Sequence, residues 1–339
     1  VQGIQFPRVG SVKGHKRHVI YPNRTFRDRL QLEIAGIEIE LIHSPSDTPD
    51  NILLWWPERK TILTGDSLTP TLPPIFSARG QRVRDREGYL ESSDLMRSLE
   101  PEHVVPSHGP AFSGQVARQV LVNYRDAVAF MYHQTVRLIN QGMGPEQIAT
   151  RLSLPPHLAD NLLLGQWYND LQTDIRGIYG YLVGHYNDVA EMPLLSPEVA
   201  DLNMIALAGG PEAYLKKLQE ADERGDHVWV ARAASHLIRT EPDNQAAKDL
   251  KASSLRVLAA RTVAGSHRHF YLQHAAALEG RIDISMVARF SAEDVATVPV
   301  AALIRQLPFR LDAEKAVGQE GRLSLAITDT DQRFLIEQR

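Results

Sequence analysis

The chain has 339 residues, enough for two or three domains, and 43% of them are hydrophobic, 23% charged and 7% aromatic. This composition excludes a disordered, collagenous or disulfide-dense protein. The formal net charge of -4 provides no basic excess for binding nucleic acid, and the absence of cysteine excludes thiol catalysis and metal sites with sulfur ligands.

Alternating apolar residues predict a strand-rich region near the beginning of the chain. Leu30, Leu32 and Ile34 alternate with polar residues, and the alternation resumes after residues 35–36, which predicts a β-hairpin. The elements predicted next are two strands, an amphipathic helix and a short strand, at residues 52–56, 61–63, 85–99 and 104–105. The order of these elements indicates layered sheet and helix.

Beyond about residue 115 the apolar periodicity becomes helical. Predicted helices bounded by Gly or Pro cover residues 116–141, 145–153, 161–168 and 198–208. Residues 213–263 read as three helices joined by a Gly-Asp turn and a Pro-Asp-Asn turn, which is typical of stacked helices. Apolar runs stay shorter than the roughly 20 residues that a membrane span needs, so none is predicted.

The composition changes again after Gly280. Leu323, Leu325 and Ile327 alternate as a strand, and a second strand begins near Phe334 after a Thr-Asp turn. Because a sheet of two strands is marginal alone, we expect the chain to be cut within its third domain. The first residue is Val, not Met, which suggests that the chain is processed or is a segment of a longer sequence. The opening residues do not resemble a signal peptide.

Three candidate metal ligands each follow a predicted strand. Asp47 lies in HSPSDTPDN, Asp66 in LTGD and His108 in PSHG. Carboxylate and imidazole groups that converge from separate strand ends can form an open site for zinc or manganese. Their spacing alone does not distinguish such a site from ordinary turn residues.

The order and the residues of these three motifs resemble the later metal-binding motifs of the metallo-β-lactamase superfamily. The likeness to its alkyl sulfatases continues through IFSARGQRVRD, which contains Arg79, and through the helical region to about residue 280. Most of the superfamily has a histidine at the position of Asp47, whereas alkyl sulfatases have a carboxylate, usually Glu. The helical part resembles that family's dimerisation domain, and residues 283–339 resemble the beginning of a sterol-carrier-like domain.

The resemblance implies roles for individual residues. Asp66 would bridge two zinc ions, Asp47 would bind one of them and His108 would complete the site. Arg79 would hold the sulfate and is the predicted catalytic and substrate-binding residue, because a guanidinium fork matches a tetrahedral oxyanion. Two divalent ions would supply a metal-bound hydroxide near neutral pH.

One departure from the family is large. Its members supply four ligands from an H-x-H-x-D-H motif that precedes these segments, and this sequence contains no such motif. We therefore expect a segment of a longer enzyme, truncated at both ends, with weak or no activity of its own. A degenerate member of the family is the alternative.

The predicted fold class is α/β, an incomplete metallo-β-lactamase-like αββα arrangement, followed by an all-α dimerisation domain and the start of an α+β sterol-carrier-like domain. The predicted boundaries are residues 1–120, 121–281 and 282–339. The predicted function is part of a dinuclear zinc alkyl sulfatase that hydrolyses linear alkyl sulfate esters as a homodimer. Alternatives are hydrolysis of a phosphoester or lactone, or a non-catalytic dimerisation or hydrophobic-ligand module. The family suggests a periplasmic or secreted location.

Other polar and aromatic residues receive structural interpretations. His43 is predicted to be a satisfied core or loop histidine, and the neighbours Arg84 and Asp85 to form an ion pair or to support the site. His267 and His269 are predicted not to share a metal ion, since residues two apart point to different faces of a helix, and both are treated as surface residues. Five aromatic residues could line an alkyl-chain channel or pack between helices, namely Trp167, Tyr168, Tyr179, Tyr181 and Tyr186.

Overall fold

A computed structural model of the chain describes residues 22–78, 83–184, 186, 188–284 and 298–338. The chain divides into two compact units, Val1–Ser285 and Met286–Arg339. The first unit contains a sheet followed by a helical region, and the second contains short helices and a hairpin.

The first unit begins with one sheet of six strands in sequence order. The strands are β1 (Arg29–Ile34), β2 (Ile37–His43), β3 (Ile52–Trp56), β4 (Thr61–Gly65), β5 (His103–Pro106) and β6 (Phe112–Ser113). Neighbouring strands are antiparallel except for β4 and β5, which are parallel. Helix α1 (Arg86–Ser98) forms the crossover that this parallel pair requires. The predicted hairpin, strands and helix are confirmed.

The two faces of the sheet differ in burial. Trp55, Ile62 and Val104 occupy one cross-strand row and are buried in a core that includes residues of α1 and of α2 (Gly114–Ile139). Leu54 and Leu63 pair on the opposite face, where Leu63 is exposed and Leu54 partly exposed. The described elements thus form a sheet with helices on one face, and the second sheet of an αββα arrangement is not among them.

The helical region starts with α2 and shares its core with the sheet. Its other helices are α3 (Pro145–Arg151), α4 (Pro156–Ala159), α5 (Leu171–Leu182), α6 (Pro197–Leu207), α7 (Pro211–Glu223), α8 (His227–Thr240), α9 (Gln245–Arg261) and α10 (Gly265–Leu278). One continuous core runs from Ile42 on β2 to Tyr179 on α5. The predicted boundary at residues 120–121 falls within α2. None of the described helices combines the length and apolarity of a membrane span.

The predicted helix over residues 161–168 is wrong. Only Leu162–Leu164 form a short 3₁₀ helix, and the chain then continues without regular structure. The carbonyl of Gly165 accepts hydrogen bonds from the Thr71 hydroxyl and from the Leu72 backbone N–H, at 2.8 and 3.0 Å. This carbonyl bonds to the loop after β4, a tertiary contact that local periodicity does not encode.

A buried carboxylate joins α6 to α8. Asp201 accepts two hydrogen bonds from Arg239, at 2.5 and 2.7 Å, and its Oδ1 lies 2.5 Å from Nδ1 of His236. The Asp201 side chain is only 2% exposed. The hydrogen-bonded Arg239 lowers the pKa of Asp201 to about 2. Asp201 therefore stabilises the contact between the two helices in its charged form.

Asp201→Asn is expected to lower the free energy of unfolding by about 2 kcal/mol at pH 7, because it removes a charge-assisted pair. A depressed folded-state pKa gives stabilisation that is present above pH ~4 and lost as the pH falls toward 2. Urea unfolding at pH 7 and pH 3 tests this. The exposed Asp243→Asn is the control. An equal loss for both variants at pH 7 contradicts the prediction.

The second unit contains α11 (Val300–Ile304), α12 (Ala313–Ala316) and an antiparallel hairpin of β7 (Gly321–Ile327) and β8 (Gln332–Gln338). The hairpin confirms the two predicted strands. Leu323 pairs with Ile336 and Leu325 with Phe334. The sterol-carrier-like character of this unit stays a prediction.

Candidate functional site

The sheet topology places three predicted site loops at one edge. Strands β2 and β4 each run antiparallel to β3, so they share a direction, and β5 is parallel to β4. The loops that carry Asp47, Asp66 and His108 follow the carboxyl ends of β2, β4 and β5. Loops at the carboxyl ends of parallel strands are a common location for active sites in α/β proteins.

Two of the three predicted ligands meet directly. Nε2 of His108 lies 3.5 Å from Oδ1 of Asp66, and both side chains are open to solvent, with exposed fractions of 72% and 39%. The Ser107 hydroxyl donates a hydrogen bond to the same Asp66 oxygen. Ser107 belongs to the PSHG motif, but sequence reasoning did not single it out.

A glycine lies next to each residue of the Asp66–His108 pair. Gly65 precedes Asp66 with a φ of +54°, and Gly109 follows His108 with a φ of +84°. A Cβ on Gly109 would lie 2.5 Å from Cγ of Pro70. A larger residue after His108 would therefore be strained in its backbone and would clash with Pro70, so the glycine of PSHG holds the histidine loop close to the loop after β4.

The Asp66–His108 pair has a geometry that suits a shared divalent ion. Two ligands about 2.0–2.1 Å from a tetrahedral metal are separated by about 3.3 Å, close to the observed 3.5 Å. Oxygen and nitrogen donors of this kind bind zinc or manganese. The two residues provide a partial set of ligands, and no group of three His, Asp or Glu suited to a metal occurs within the described residues.

Asp47 pairs with a buried arginine. Its Oδ1 lies 2.5 Å from Nη2 of Arg84, whose side chain is only 8% exposed. Arg84 also donates to the Pro74 carbonyl at 2.7 Å. The structure therefore brings together Asp66 and His108 and places Asp47 in an ion pair. The physical reason is that a buried guanidinium requires a nearby carboxylate.

The contacts of residues near Asp47 test two further predictions. Asp85 does not pair with Arg84 but caps α1, where its side chain accepts from the backbone N–H groups of Glu87 and Gly88. The predicted ion pair between Arg84 and Asp85 is wrong, because each has its own partner, whereas the contact of Arg84 with Asp47 fits the alternative that Arg84 supports the site. Nε2 of His43, the last residue of β2, donates to the Pro49 carbonyl at 2.7 Å, which confirms that this histidine has a hydrogen-bond partner.

The predicted sulfate-binding residue Arg79 lies in 79–82, outside the described residues. Phe76, three residues before Arg79, is held by the helical region: its N–H donates to Oδ1 of Asp174 at 2.8 Å, and its carbonyl accepts from Nδ2 of Asn169 at 2.8 Å. Asn169 also donates to Asp174 at 3.0 Å. Sequence reasoning missed these two residues because a polar side chain inside a predicted helical region carries no signal of such a contact.

Asp174 is expected to make stability depend on pH. Burial raises its pKa well above the usual range of an aspartate. A raised folded-state pKa gives stability that is complete below the unfolded pKa near 4 and is lost as the pH rises through the folded pKa. The wild-type protein should therefore lose up to about 1.4 kcal/mol per pH unit across that window.

Asp174→Asn should remove this pH dependence, since Asn keeps an oxygen that can accept from Phe76 and Asn169. Urea unfolding between pH 4.5 and pH 8 gives the two profiles. Asp160→Asn, an exposed carboxylate in the same region, serves as the control and should follow the wild type. Parallel profiles for wild type and Asp174→Asn would show that Asp174 does not titrate in this range.

His267 is not a surface residue, in contrast to the prediction. It is buried, its Nδ1 lies 3.1 Å from Oδ2 of Asp170, and its Nε2 lies 3.1 Å from the Thr173 hydroxyl. The contact joins α10 to the beginning of α5, because Asp170 also caps α5 by accepting from the Thr173 N–H. His269 is exposed, as predicted.

The five aromatic residues do not share one environment. Tyr179 is buried in the core, which supports the packing interpretation for this residue. The Tyr168 hydroxyl lies 3.2 Å from the Ser77 hydroxyl. Trp167, Tyr181 and Tyr186 are each about half exposed. Tyr181 stacks on the guanidinium of Arg86 with a distance of 4.0 Å to its ring centre.

Comparison with known proteins agrees with this arrangement. Residues 6–108 match the metallo-beta-lactamase superfamily, and residues 144–281 match the family described as alkyl sulfatase dimerisation. The fold is similar to that of the stereoselective inverting sec-alkylsulfatase Pisa1 from Pseudomonas sp., with a TM-score of 0.84 and 24% identity over 95% of this chain and 52% of that chain.

Two curated relatives are similar over most of the sequence. A linear primary-alkylsulfatase from Pseudomonas sp. is 32% identical over 94% of this chain and 63% of its own length. An (R)-specific secondary-alkylsulfatase from Pseudomonas sp. is 26% identical over 90% of this chain and 47% of its own length. The chain therefore spans between about half and two thirds of the relatives it matches.

The sheet, its motif-bearing edge and the matched region 6–108 define a metallo-β-lactamase-like part, to which a helical part is joined. The helical part matches the alkyl sulfatase dimerisation family over residues 144–281. Both parts of the chain are thus similar to alkyl sulfatases of the metallo-β-lactamase superfamily.

Proposed function

We propose that this chain is part of a metal-dependent alkyl sulfatase, which hydrolyses a sulfate ester to an alcohol and sulfate. The observation that supports the proposal is the Asp66–His108 pair, which lies at the sheet edge with the separation expected of two ligands of one ion. The similarity to two alkylsulfatases supports sulfuric esters as the class of substrate. The proposed substrates are linear alkyl sulfates.

In this proposal Asp66 and His108 hold the metal. When bound, a divalent ion, proposed to be one of two zinc ions, supplies an activated water near neutral pH and offsets charge on the sulfate oxygens. Ser107 holds the orientation of the Asp66 carboxylate by its hydrogen bond. Arg79 is proposed to bind the sulfate through paired N–H donors. Asp47 is proposed as a further ligand, which requires a carboxylate oxygen to act while Arg84 stays bound.

Elemental mass spectrometry on the purified protein, together with an assay for alcohol released from dodecyl sulfate, tests the proposal. The full-length protein should contain two zinc ions and turn over the ester, whereas residues 1–339 alone should do neither, because the H-x-H-x-D-H ligands are absent from them. A metal-free, inactive full-length protein would favour a non-catalytic dimerisation or hydrophobic-ligand module. Turnover of a phosphoester or lactone in preference to dodecyl sulfate would favour the other hydrolases of the superfamily.

We also propose that the protein is a homodimer, and that the second copy covers an apolar surface of the helical region. Large hydrophobic side chains are exposed within residues 182–207, which lie inside the part matched to alkyl sulfatase dimerisation. The most exposed members are Val189, Met192, Leu194, Leu195 and Leu207. A concentrated apolar surface of this kind is typical of an interface between proteins.

Light scattering should give about twice the chain mass of 37.9 kDa. Combining Leu194→Asp with Leu207→Asp should shift the mass to that of a monomer, because two charges would have to be buried without partners. Val263→Asp places the same charge on an exposed valine outside residues 182–207 and should leave the dimer intact. A monomeric wild type, or a dimer that survives the double substitution, contradicts the proposed surface.

The family resemblance supports three further parts of the proposal. These are the three domain boundaries, the sterol-carrier-like character of residues 282–339 and the periplasmic or secreted location. Binding of a fluorescent fatty acid to the protein, and its loss on deletion of residues 282–339, would test the second of these.

A further inference from the structure

Four polar side chains form a hydrogen-bonded group beneath the candidate site. We call Ser44, Ser46, Asn51 and Ser67 the serine cluster. Ser44, Ser46 and Asn51 belong to the loop that carries Asp47, whereas Ser67 directly follows Asp66. The three serines are buried, with exposed fractions of 0 to 1%. The cluster thus joins two loops that are more than fifteen residues apart in sequence.

Ser67 is the centre of the serine cluster. Its hydroxyl lies 2.8 Å from the Ser44 hydroxyl and 2.9 Å from the Ser46 hydroxyl, and it accepts from Nδ2 of Asn51 at 2.6 Å. A hydroxyl group has one donor and two acceptor positions. Asn51 fills one acceptor position, and the other acceptor position and the Ser67 hydrogen are used for Ser44 and Ser46, including the Ser44 carbonyl at 3.4 Å. Every hydrogen-bonding position of Ser67 is therefore used for contacts to the Asp47 loop.

The remaining contacts of the Asp47 loop leave it little freedom. Ser92 of α1 donates to the Pro45 carbonyl at 2.9 Å. A Cβ on Gly88 would lie 2.6 Å from that same carbonyl oxygen, so α1 packs closely against the loop. Backbone bonds within the loop, from Ser44 N–H to the Asn51 carbonyl and from Asn51 N–H to the Thr48 carbonyl, close it into a compact turn.

We propose that Ser67 is a positioning residue, which fixes the Asp66 loop relative to the Asp47 loop and thereby sets the distance between the two predicted metal-binding carboxylates. The proposal rests on the proposed metal site for its functional meaning. A buried hydroxyl group with no free hydrogen-bonding position transmits a displacement of one loop directly to the other. Residues that orient metal ligands commonly change metal affinity by 10- to 100-fold when they are replaced.

Ser67→Ala is the test variant, and Ser93→Ala is its matched control. Ser93 is equally buried, but its hydroxyl donates to the Tyr89 carbonyl within α1 and contacts neither loop. Ser46→Ala removes the bonds of the Ser46 hydroxyl to Ser67 and to the Ser44 carbonyl but leaves Ser67 bonded to Ser44 and Asn51, so it serves as a milder variant in case Ser67→Ala does not fold. All variants are made in the full-length protein.

The first measurement is hydrogen exchange without metal. The reporter amides are those of Ser44, Ser46 and Asn51, each bonded within the Asp47 loop, and that of Ser67, which donates to the Thr64 carbonyl of β4. Ser67→Ala should accelerate exchange at least about tenfold in both loops, because the shared contact is lost, and Ser93→Ala should change neither. Faster exchange at Ser67 alone, with an unchanged Asp47 loop, would overturn the proposal.

The second measurement is zinc affinity, determined by competition with a chromophoric chelator. Ser67→Ala should weaken zinc binding by about 10- to 100-fold, whereas Ser93→Ala should stay within about twofold of the wild type. Equal affinities for the two variants would overturn the positioning role. A wild-type protein that binds no zinc would refute the proposed metal site, and the exchange experiment would still decide whether Ser67 couples the loops.

Discussion

Asp66→Asn is expected to lower the rate of dodecyl sulfate hydrolysis by at least about 100-fold in the full-length protein. Replacement of residues that only orient ligands costs 10- to 100-fold, and Asp66 is proposed to touch the metal itself. The amide lacks the negative charge that offsets a divalent ion, and only one of its two polar atoms can bind a metal. The bonds from Ser107 and the contact to His108 also lose their charged acceptor.

The comparison variant is Asp50→Asn, which makes the same chemical change at an exposed carboxylate of the Asp47 loop. It should retain the rate and zinc content of the wild type. Elemental mass spectrometry separates the possible causes for Asp66→Asn, since a loss of bound zinc should accompany the loss of rate. Full activity in Asp66→Asn would rule out this carboxylate as a ligand.

The sheet could be predicted because its order is local. Each strand pairs with its neighbour in sequence, so alternating residues and turn signals were sufficient for β1 to β5. The crossover helix α1 then makes β4 and β5 parallel, which places Asp66 and His108 at one edge. The meeting of these two residues follows from patterns that a single sequence contains.

The partners of charged groups could not be predicted in this way. Arg84 is next to Asp85 in sequence, yet it pairs with Asp47, because the cap of α1 directs Asp85 toward the helix. His267 is predicted to lie on the surface, yet Asp170 and Thr173 contact it at the beginning of α5. Such contacts depend on how distant elements pack, and helical periodicity carries no information about them.

Helix α5 packs closely against the loop after β4. Alanine substitutions at two glycines of this helix should therefore change the free energy of unfolding with opposite signs. A Cβ on Gly177 would lie 2.3 Å from Cβ of Phe76 and 2.7 Å from its Cγ, whereas a Cβ on Gly180 would meet nothing within 4 Å. Gly177→Ala should lower the free energy of unfolding by about 2–3 kcal/mol, because the buried helix must move away from Phe76. Gly180→Ala should raise it by up to about 1 kcal/mol through helix propensity.

The two variants make the same residue change in the same helix. Comparison of their urea unfolding therefore separates the effect of the close contact with Phe76 from the effect of helix propensity. Because Asn169 and Asp174 hold Phe76 by its backbone, a shift of α5 would also move the chain that leads to Arg79. Gly177→Ala should therefore raise the KM for dodecyl sulfate, whereas Gly180→Ala should leave it unchanged. If Gly177→Ala proves as stable as Gly180→Ala, then α5 does not pack against Phe76 at the described distance, and this connection between the helical region and the proposed sulfate-binding segment does not exist.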